Sequence, residues 1–201
     1  PVTEFVTGID LVEMMIRVAA GEELNLKQNQ VPFNGWSIEC RVCAEDPYRN
    51  FLPSTGRLTS YRPPTETPHV RVDTGVNEGS EISVFYDPMI AKLITFGGDR
   101  MTAISRMRNA LDQYDIRGGK HNLNFLSALL QDDNFVAGEF STAFIAEKFP
   151  DGFRGAPISD ELRKRLVGIG SFLEITKREQ ESTISGQILG YEPKFDGEWI
   201  V

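Results

Sequence analysis

Gly35-Trp36-Ser37-Ile38-Glu39-Cys40-Arg41-Val42-Cys43 is the stretch on which the fold turns. Apolar Trp36, Ile38, Cys40 and Val42 alternate with Ser37, Glu39, Arg41 and Cys43, the period of two that marks a strand with one buried face. The same alternation decides how the C-x-x-C is read. Residues three apart on a strand point to opposite faces, so Cys40 and Cys43 cannot chelate one ion or close a disulfide. The sequence has no second C-x-x-C, and its only histidines are His69 and His121. Two reduced, structural cysteines in a reducing compartment are therefore expected. Glu39 and Arg41 share the polar face, about 7 Å apart at roughly 3.3 Å per residue. From pattern alone this pair reads first as a salt bridge tying the strand to a neighbour.

Working outward, short alternating runs broken by Pro and Gly continue at 57–62, 69–73, 81–86 and 90–96, which predicts a mostly antiparallel sheet. Helical spacing flanks it. Thr7-Gly8-Ile9-Asp10 reads as a capping box, followed by Ile9, Val12, Met15, Ile16 and Ala19 up to a stop at Gly21. Asp99 is a plausible N-cap for a helix through Ile104, Met107, Leu111 and Tyr114, and Asn122 opens another through Leu123, Leu126, Leu129 and Leu130. A shorter helix is expected over 141–149, with Phe144, Ile145 and Phe149 inward and Pro150 at its end. The segment Asp151-Gly-Phe-Arg-Gly-Ala-Pro157 reads as a linker. Beyond it, Ser159 caps a long helix with Leu162, Leu166, Ile169 and Leu173 in a narrow stripe, and strand-like runs follow at 183–190 and 197–201. The fold class is α+β, with one unit over 1–153 and a second over 154–201 whose residues after Ser182 are expected to be mobile or rearranged.

Composition bounds the function. The 201 residues are 40% hydrophobic and 25% charged, as in globular proteins, with a formal net charge of -8. A sequence pI of about 4.9 leaves no basic field for phosphates, so neither nucleic acid nor an anionic membrane is expected as a partner. No apolar run approaches the roughly 18 to 20 residues of a bilayer span, and PVTEFVTGID lacks the form of a signal peptide. An intracellular location is expected, cytoplasmic in a bacterium or the mitochondrial matrix in a eukaryote. Gly-rich phosphate loops, H-E-x-x-H, G-x-S-x-G and EF-hand patterns are absent from the sequence. The start at Pro1 and the stop at Val201 read as those of a segment of a longer protein.

Four segments carry a resemblance: PVTEFVTGIDLVEMMIRVAAG at 1–21, GWSIECRVCAEDP at 35–47, FLPSTGRLTSYRPP at 51–64 and VFYDPMIAKLITFG at 84–97. In this order and spacing they resemble biotin carboxylases, over about residues 1–153. The resemblance implies that Arg41 lies beside the biotin ureido ring, where a guanidinium, charged at any working pH, stabilises the oxyanion formed when the ureido N1 loses its proton. It implies that Asp87, in Tyr86-Asp87-Pro88-Met89, lies near that arginine and the ring in a positioning role, although an aspartate before proline is by itself usually a local turn acceptor. It implies that Glu39 orients Arg41, and, on a less distinctive motif, that Thr142 lies near an adenine.

The family's ATP-grasp machinery matches no part of this chain, and neither does an M-K-M biotin-attachment site. Biotin, ATP and Mg2+ are expected of the intact subunit, none bound to this segment alone, and the segment is expected neither to hydrolyse ATP nor to carboxylate free biotin. Residues 154–201 resemble the region after the carboxylase lobe in propionyl-CoA carboxylase alpha subunits, where a long helix leads into a small barrel that docks on the carboxyltransferase subunit. The implied partners are the biotin carboxyl carrier domain of the same subunit and that carboxyltransferase. Acetyl-CoA, methylcrotonyl-CoA and pyruvate carboxylases share the first part of the pattern, and a pure assembly module is the alternative from another class.

Overall fold

The structure, a computed structural model, describes residues 1–83, 87–156 and 158–182. The chain divides into two compact units, Pro1–Ala156 and Pro157–Val201. In the first, the elements run α1 (Val2–Thr7), α2 (Leu11–Ala19), β1 (Trp36–Cys43), β2 (Glu45–Asp46), β3 (Leu52–Pro53), β4 (Gly56–Arg57), β5 (Ser60–Arg62), β6 (Val70–Thr74), β7 (Glu81–Ile82), β8 (Met89–Gly97), α3 (Arg100–Asp112), β9 (Asp115–Arg117), α4 (Leu123–Leu129), α5 (Asp133–Ala137) and α6 (Phe144–Lys148). In the second, α7 spans Asp160–Ser182.

A three-stranded antiparallel sheet of order β1-β8-β6 forms the frame, with β2-β3, β4-β7 and β5-β9 as separate antiparallel pairs. Alternation along β1 does what the sequence predicts. Ile38, Cys40 and Val42 lie in register with Thr95, Leu93 and Ala91 on β8 and, across it, with Val70, Val72 and Thr74 on β6. This face packs on α3, whose Ala103, Ile104, Met107, Ala110 and Leu111 are buried. Leu93, Val42 and Met107 are completely enclosed. Asp99 caps α3 by accepting from Thr102 N at 2.8 Å, and the buried Thr95 hydroxyl donates to the Ala103 carbonyl at 3.0 Å, pinning helix to strand.

The opposite face is charged but not bare. On it α1 lays Phe5 over Phe96 with ring centroids 6.0 Å apart, and Ile94 beneath is wholly buried. Arg71 on β6 pairs with Glu4 of α1 and Asp73 of its own strand, both at 2.6 Å. Gly35 enters β1 at φ 64°, where a Cβ would also come within 2.7 Å of the Phe96 ring, so only glycine lets the chain turn in here.

Several expectations change. Thr7 does not cap a helix: it ends α1, with its hydroxyl donating to Thr3 O at 2.6 Å, and Gly8 at φ 68° stops that helix. Asp10 is the true cap of α2, accepting from Glu13 N at 2.9 Å. The run 57–62 is two strands, β4 and β5, with different partners. Ile145 on α6 is exposed while Phe144 is buried. The expected single sheet is thus one three-stranded sheet with small satellites. Val84, Phe85, Tyr86 and the strand runs at 183–190 and 197–201, with the truncated barrel and the mobile tail expected there, lie outside the described residues.

Candidate functional site

Arg41 sits near the end of β1, opposite Lys92 of β8, on the polar face. Its side chain is 66% exposed, and its Nε lies 3.7 Å from the Glu39 Oε1 two residues earlier, a carboxylate only 19% exposed. At that exposure and separation the ion pair is worth well under ~1 kcal/mol, so Glu39 biases the guanidinium without locking it. Like charges directly opposite across a ladder repel, and Lys92 has no carboxylate within salt-bridge distance among the described residues. Two cations therefore share one row of the sheet surface.

Immediately after Arg41 the ladder changes register. Val42 faces Ala91 but Cys43 faces Met89, which leaves Ile90 as the extra residue of a bulge. Asp87 stands at the mouth of β8. Its carboxylate accepts from Met89 N at 2.9 Å, the local turn bond common for an aspartate before proline. The Cys43 thiol reports how these groups converge. Burial pushes it up to about 11, helped by the charges of Glu45 and Asp87, while Arg41 pulls it down. Arg41 and Asp87 thus act on one sulfur atom. Glu45 itself is raised, first by burial and then by Asp87.

Cys40, on the core face, is pushed up to about 12 by burial and then by Glu39. Both cysteines are free. Thr142 lies exposed in the turn before α6, and no hydrogen bond or ion pair joins it to the sheet among the described residues. His121 is half-buried with an unpartnered Nδ1 and is held below its ordinary value chiefly by burial.

Sequence reasoning missed Asn122. It was read as a helix start, yet its side chain does not cap α4. Instead its Oδ1 accepts from Cys43 N at 2.9 Å and its Nδ2 donates to the Arg41 carbonyl at 3.0 Å. Its own backbone N–H donates to the Cys43 carbonyl at 3.2 Å. Lys92 was also missed, because its place opposite Arg41 depends on register. Within the motif at 84–97, the only available signal was its position at a polar slot of an alternating strand.

Residues 39–147, more than half of the chain, match the family of biotin carboxylase C-terminal domains, and the chain belongs to that family. Among curated proteins, the propionyl-CoA carboxylase alpha chain of Ruegeria pomeroyi is 46% identical over all of this chain. The human mitochondrial propionyl-CoA carboxylase alpha chain is 51% identical over 86% of it. The chain spans about a third of the first relative's length (32%) and 24% of the second's. Among solved structures, the biotin carboxylase domain of Hydrogenobacter thermophilus 2-oxoglutarate carboxylase, in complex with MgADP, ADP and bicarbonate, matches 78% of this chain and 34% of its own at 42% identity and a TM-score of 0.73. The complete pyruvate carboxylase of Rhizobium etli matches 79% of this chain and 16% of its own at 35% identity, with a TM-score of 0.71.

Proposed function

We propose that this chain forms the C-terminal lobe of the biotin carboxylase component of a propionyl-CoA carboxylase alpha-type subunit, and that Arg41 is its catalytic residue. The observation that carries the reading is an exposed guanidinium on β1, 3.7 Å from the Glu39 carboxylate, with Asp87 at the mouth of the paired strand β8. Bound biotin supplies a ureido group whose N1 must lose a proton before it can take up carbon dioxide. A guanidinium aimed at the ureido oxygen stabilises the negative charge that develops there, and does so at any working pH. Glu39 biases Arg41 toward the sheet, and Asp87 limits where the ring can sit. The open presentation of Arg41 fits a ring delivered from outside on a carrier domain.

No group of three acidic, His or Cys residues able to hold a metal ion occurs among the described residues. ATP and Mg2+ are assigned to the intact subunit, a reading supported by the related biotin carboxylase domain in complex with MgADP, ADP and bicarbonate. Thr142 near an adenine rests on the resemblance alone. The likeness to propionyl-CoA carboxylase alpha chains supports a biotin carboxyl carrier domain and a carboxyltransferase subunit as partners. Leu162, Leu166, Ile169 and Leu173 of α7, all exposed, fit the docking part of that reading. Relatives from a bacterium and from mitochondria support cytoplasm or matrix as the location, and no described helix is long and apolar enough to cross a membrane.

The test is Arg41→Ala in the intact subunit. Biotin carboxylation should fall on the order of 10²- to 10³-fold, as when one oxyanion donor is removed, while co-purification with the carboxyltransferase is retained. Arg41→Lys should restore only part of the rate, because an ammonium cannot reproduce a planar fork. Unchanged carboxylation by Arg41→Ala would overturn the assignment, and loss of assembly with chemistry spared would favour an assembly module.

A further inference from the structure

The outer edge of β1 is where the geometry says more than the family does. β1 is an edge strand, bonded to β8 on one side only. Residues two apart on a strand turn their backbone groups to the same edge, so Arg41 and Cys43 present carbonyls and an N–H along one side. On the other side of the strand Arg41 is still in register with Lys92, and the ladder slips just beyond it, between Val42 and Cys43. Asn122 fills the outer side. Its amide accepts from Cys43 N and donates to Arg41 O, while its backbone N–H donates to Cys43 O. One residue thus mimics a neighbouring strand across the peptides that flank Val42.

The arrangement breaks a local rule. An asparagine at the first position of a helix ordinarily turns its side chain onto the helix's own N–H groups. Asn122 has φ -91° and ψ 10°, makes no such bond, and is 6% exposed with its amide committed to β1. A residue that gives up its helix cap for two bonds to another strand, 81 and 79 positions away in sequence, points to a task on that strand.

We propose that Asn122 is a positioning residue for Arg41. It fixes from the outer side the backbone from which the guanidinium projects, just before the bulge at which the β8 ladder slips. This rests on Arg41 being the residue that meets the ureido oxygen. A weak ion pair to Glu39 leaves the tip of the side chain adjustable, so accuracy at the oxygen depends on a fixed base. An error of about 1 Å in placement costs on the order of 10²-fold in rate.

The experiment uses the intact subunit and reads the ratio of biotin carboxylation to ATP cleavage in the absence of biotin. It compares Arg41→Ala, Asn122→Asp and the double variant. A carboxylate keeps the acceptor for Cys43 N–H but cannot donate to the Arg41 carbonyl. Asn122→Asp should lower the ratio on the order of 10²-fold through kcat rather than KM, and the double variant should fall no lower than Arg41→Ala alone. Multiplicative effects, or equal loss of both activities, would show a merely structural role and overturn the proposal. If Arg41→Ala leaves the ratio intact, the reading of the site fails and the positioning role falls with it, whereas a ratio lost in Arg41→Ala but kept in Asn122→Asp defeats the positioning role alone. Should the aspartate variant not fold, Asn122→Ser, whose hydroxyl can replace one of the two side-chain bonds, carries the same comparison.

Discussion

Cys40 and Cys43 lie three residues apart and meet opposite surroundings, one against the core and one in the field of Glu45, Asp87 and Arg41. Both thiols are raised, to about 12 and about 11, from an ordinary 9.0. The thiolate is the reactive form, so both should react far more slowly with an alkylating agent at pH 7 in the native protein than after unfolding, and native labelling as fast as that of the unfolded chain would contradict these shifts. The sign of the pH dependence follows. A folded-state pKa above the unfolded one gives stability that is complete below about pH 9 and is lost as the pH climbs toward 12, because only the unfolded thiols ionise in that window. His121 acts from the acid side: held below its ordinary 6.5, it adds stability above that pH and loses it as the pH falls. Denaturant midpoints should thus decline in both directions from neutral. The separation of the two thiols was legible in Trp36–Cys43, since period two alone assigns faces. Asn122 was not, because nothing local distinguishes an asparagine that caps a helix from one that reaches a strand some 80 positions away.

Elements were legible where one face is buried along their whole length. β1, β8 and α3 fall within a residue or two of the sequence reading, because each has an unbroken apolar face in the core. The N-terminal segment misled because two features favour helix and only Gly8 separates them: at φ 68° it ends α1, and Asp10 restarts the chain as α2. β9 and α5 escaped notice because three to five residues are too few to show a period. What holds α5 in place is Arg100 of α3, which donates to the Phe135 and Val136 carbonyls and lies 5.1 Å from the Phe135 ring centroid. Stability should concentrate at the seam between α3 and the sheet. Met107→Ala removes a fully buried side chain there and should cost about 2–5 kcal/mol in denaturant unfolding. Met101→Ala, on the same helix but 56% exposed, should cost under about 0.5 kcal/mol, and equal costs would mean that α3 does not carry the core.

At the scale of the whole molecule, the site was legible only through family resemblance. Composition showed no basic field and periodicity placed Glu39 and Arg41 on one face, but neither could say that Asp87, 46 positions on, stands at the mouth of the strand paired with theirs. That convergence comes from the pairing of β1 with β8, a long-range register that a single sequence does not encode visibly. The apolar residues of α2 recur at helical spacing, yet Leu11, Val12, Met15, Ile16 and Val18 are all exposed, Met15 to 70%. A row of this kind on one short helix makes a contiguous apolar patch, which water-soluble surfaces ordinarily avoid. The 201-residue chain should accordingly bind a hydrophobic dye such as 1-anilinonaphthalene-8-sulfonate in its native state. Met15→Lys combined with Ile16→Lys should sharply reduce that fluorescence while leaving the thermal midpoint nearly unchanged, because neither side chain packs in the core. Native dye binding that the double variant leaves intact would place the patch elsewhere, and a large drop in thermal midpoint would show that α2 is packed after all.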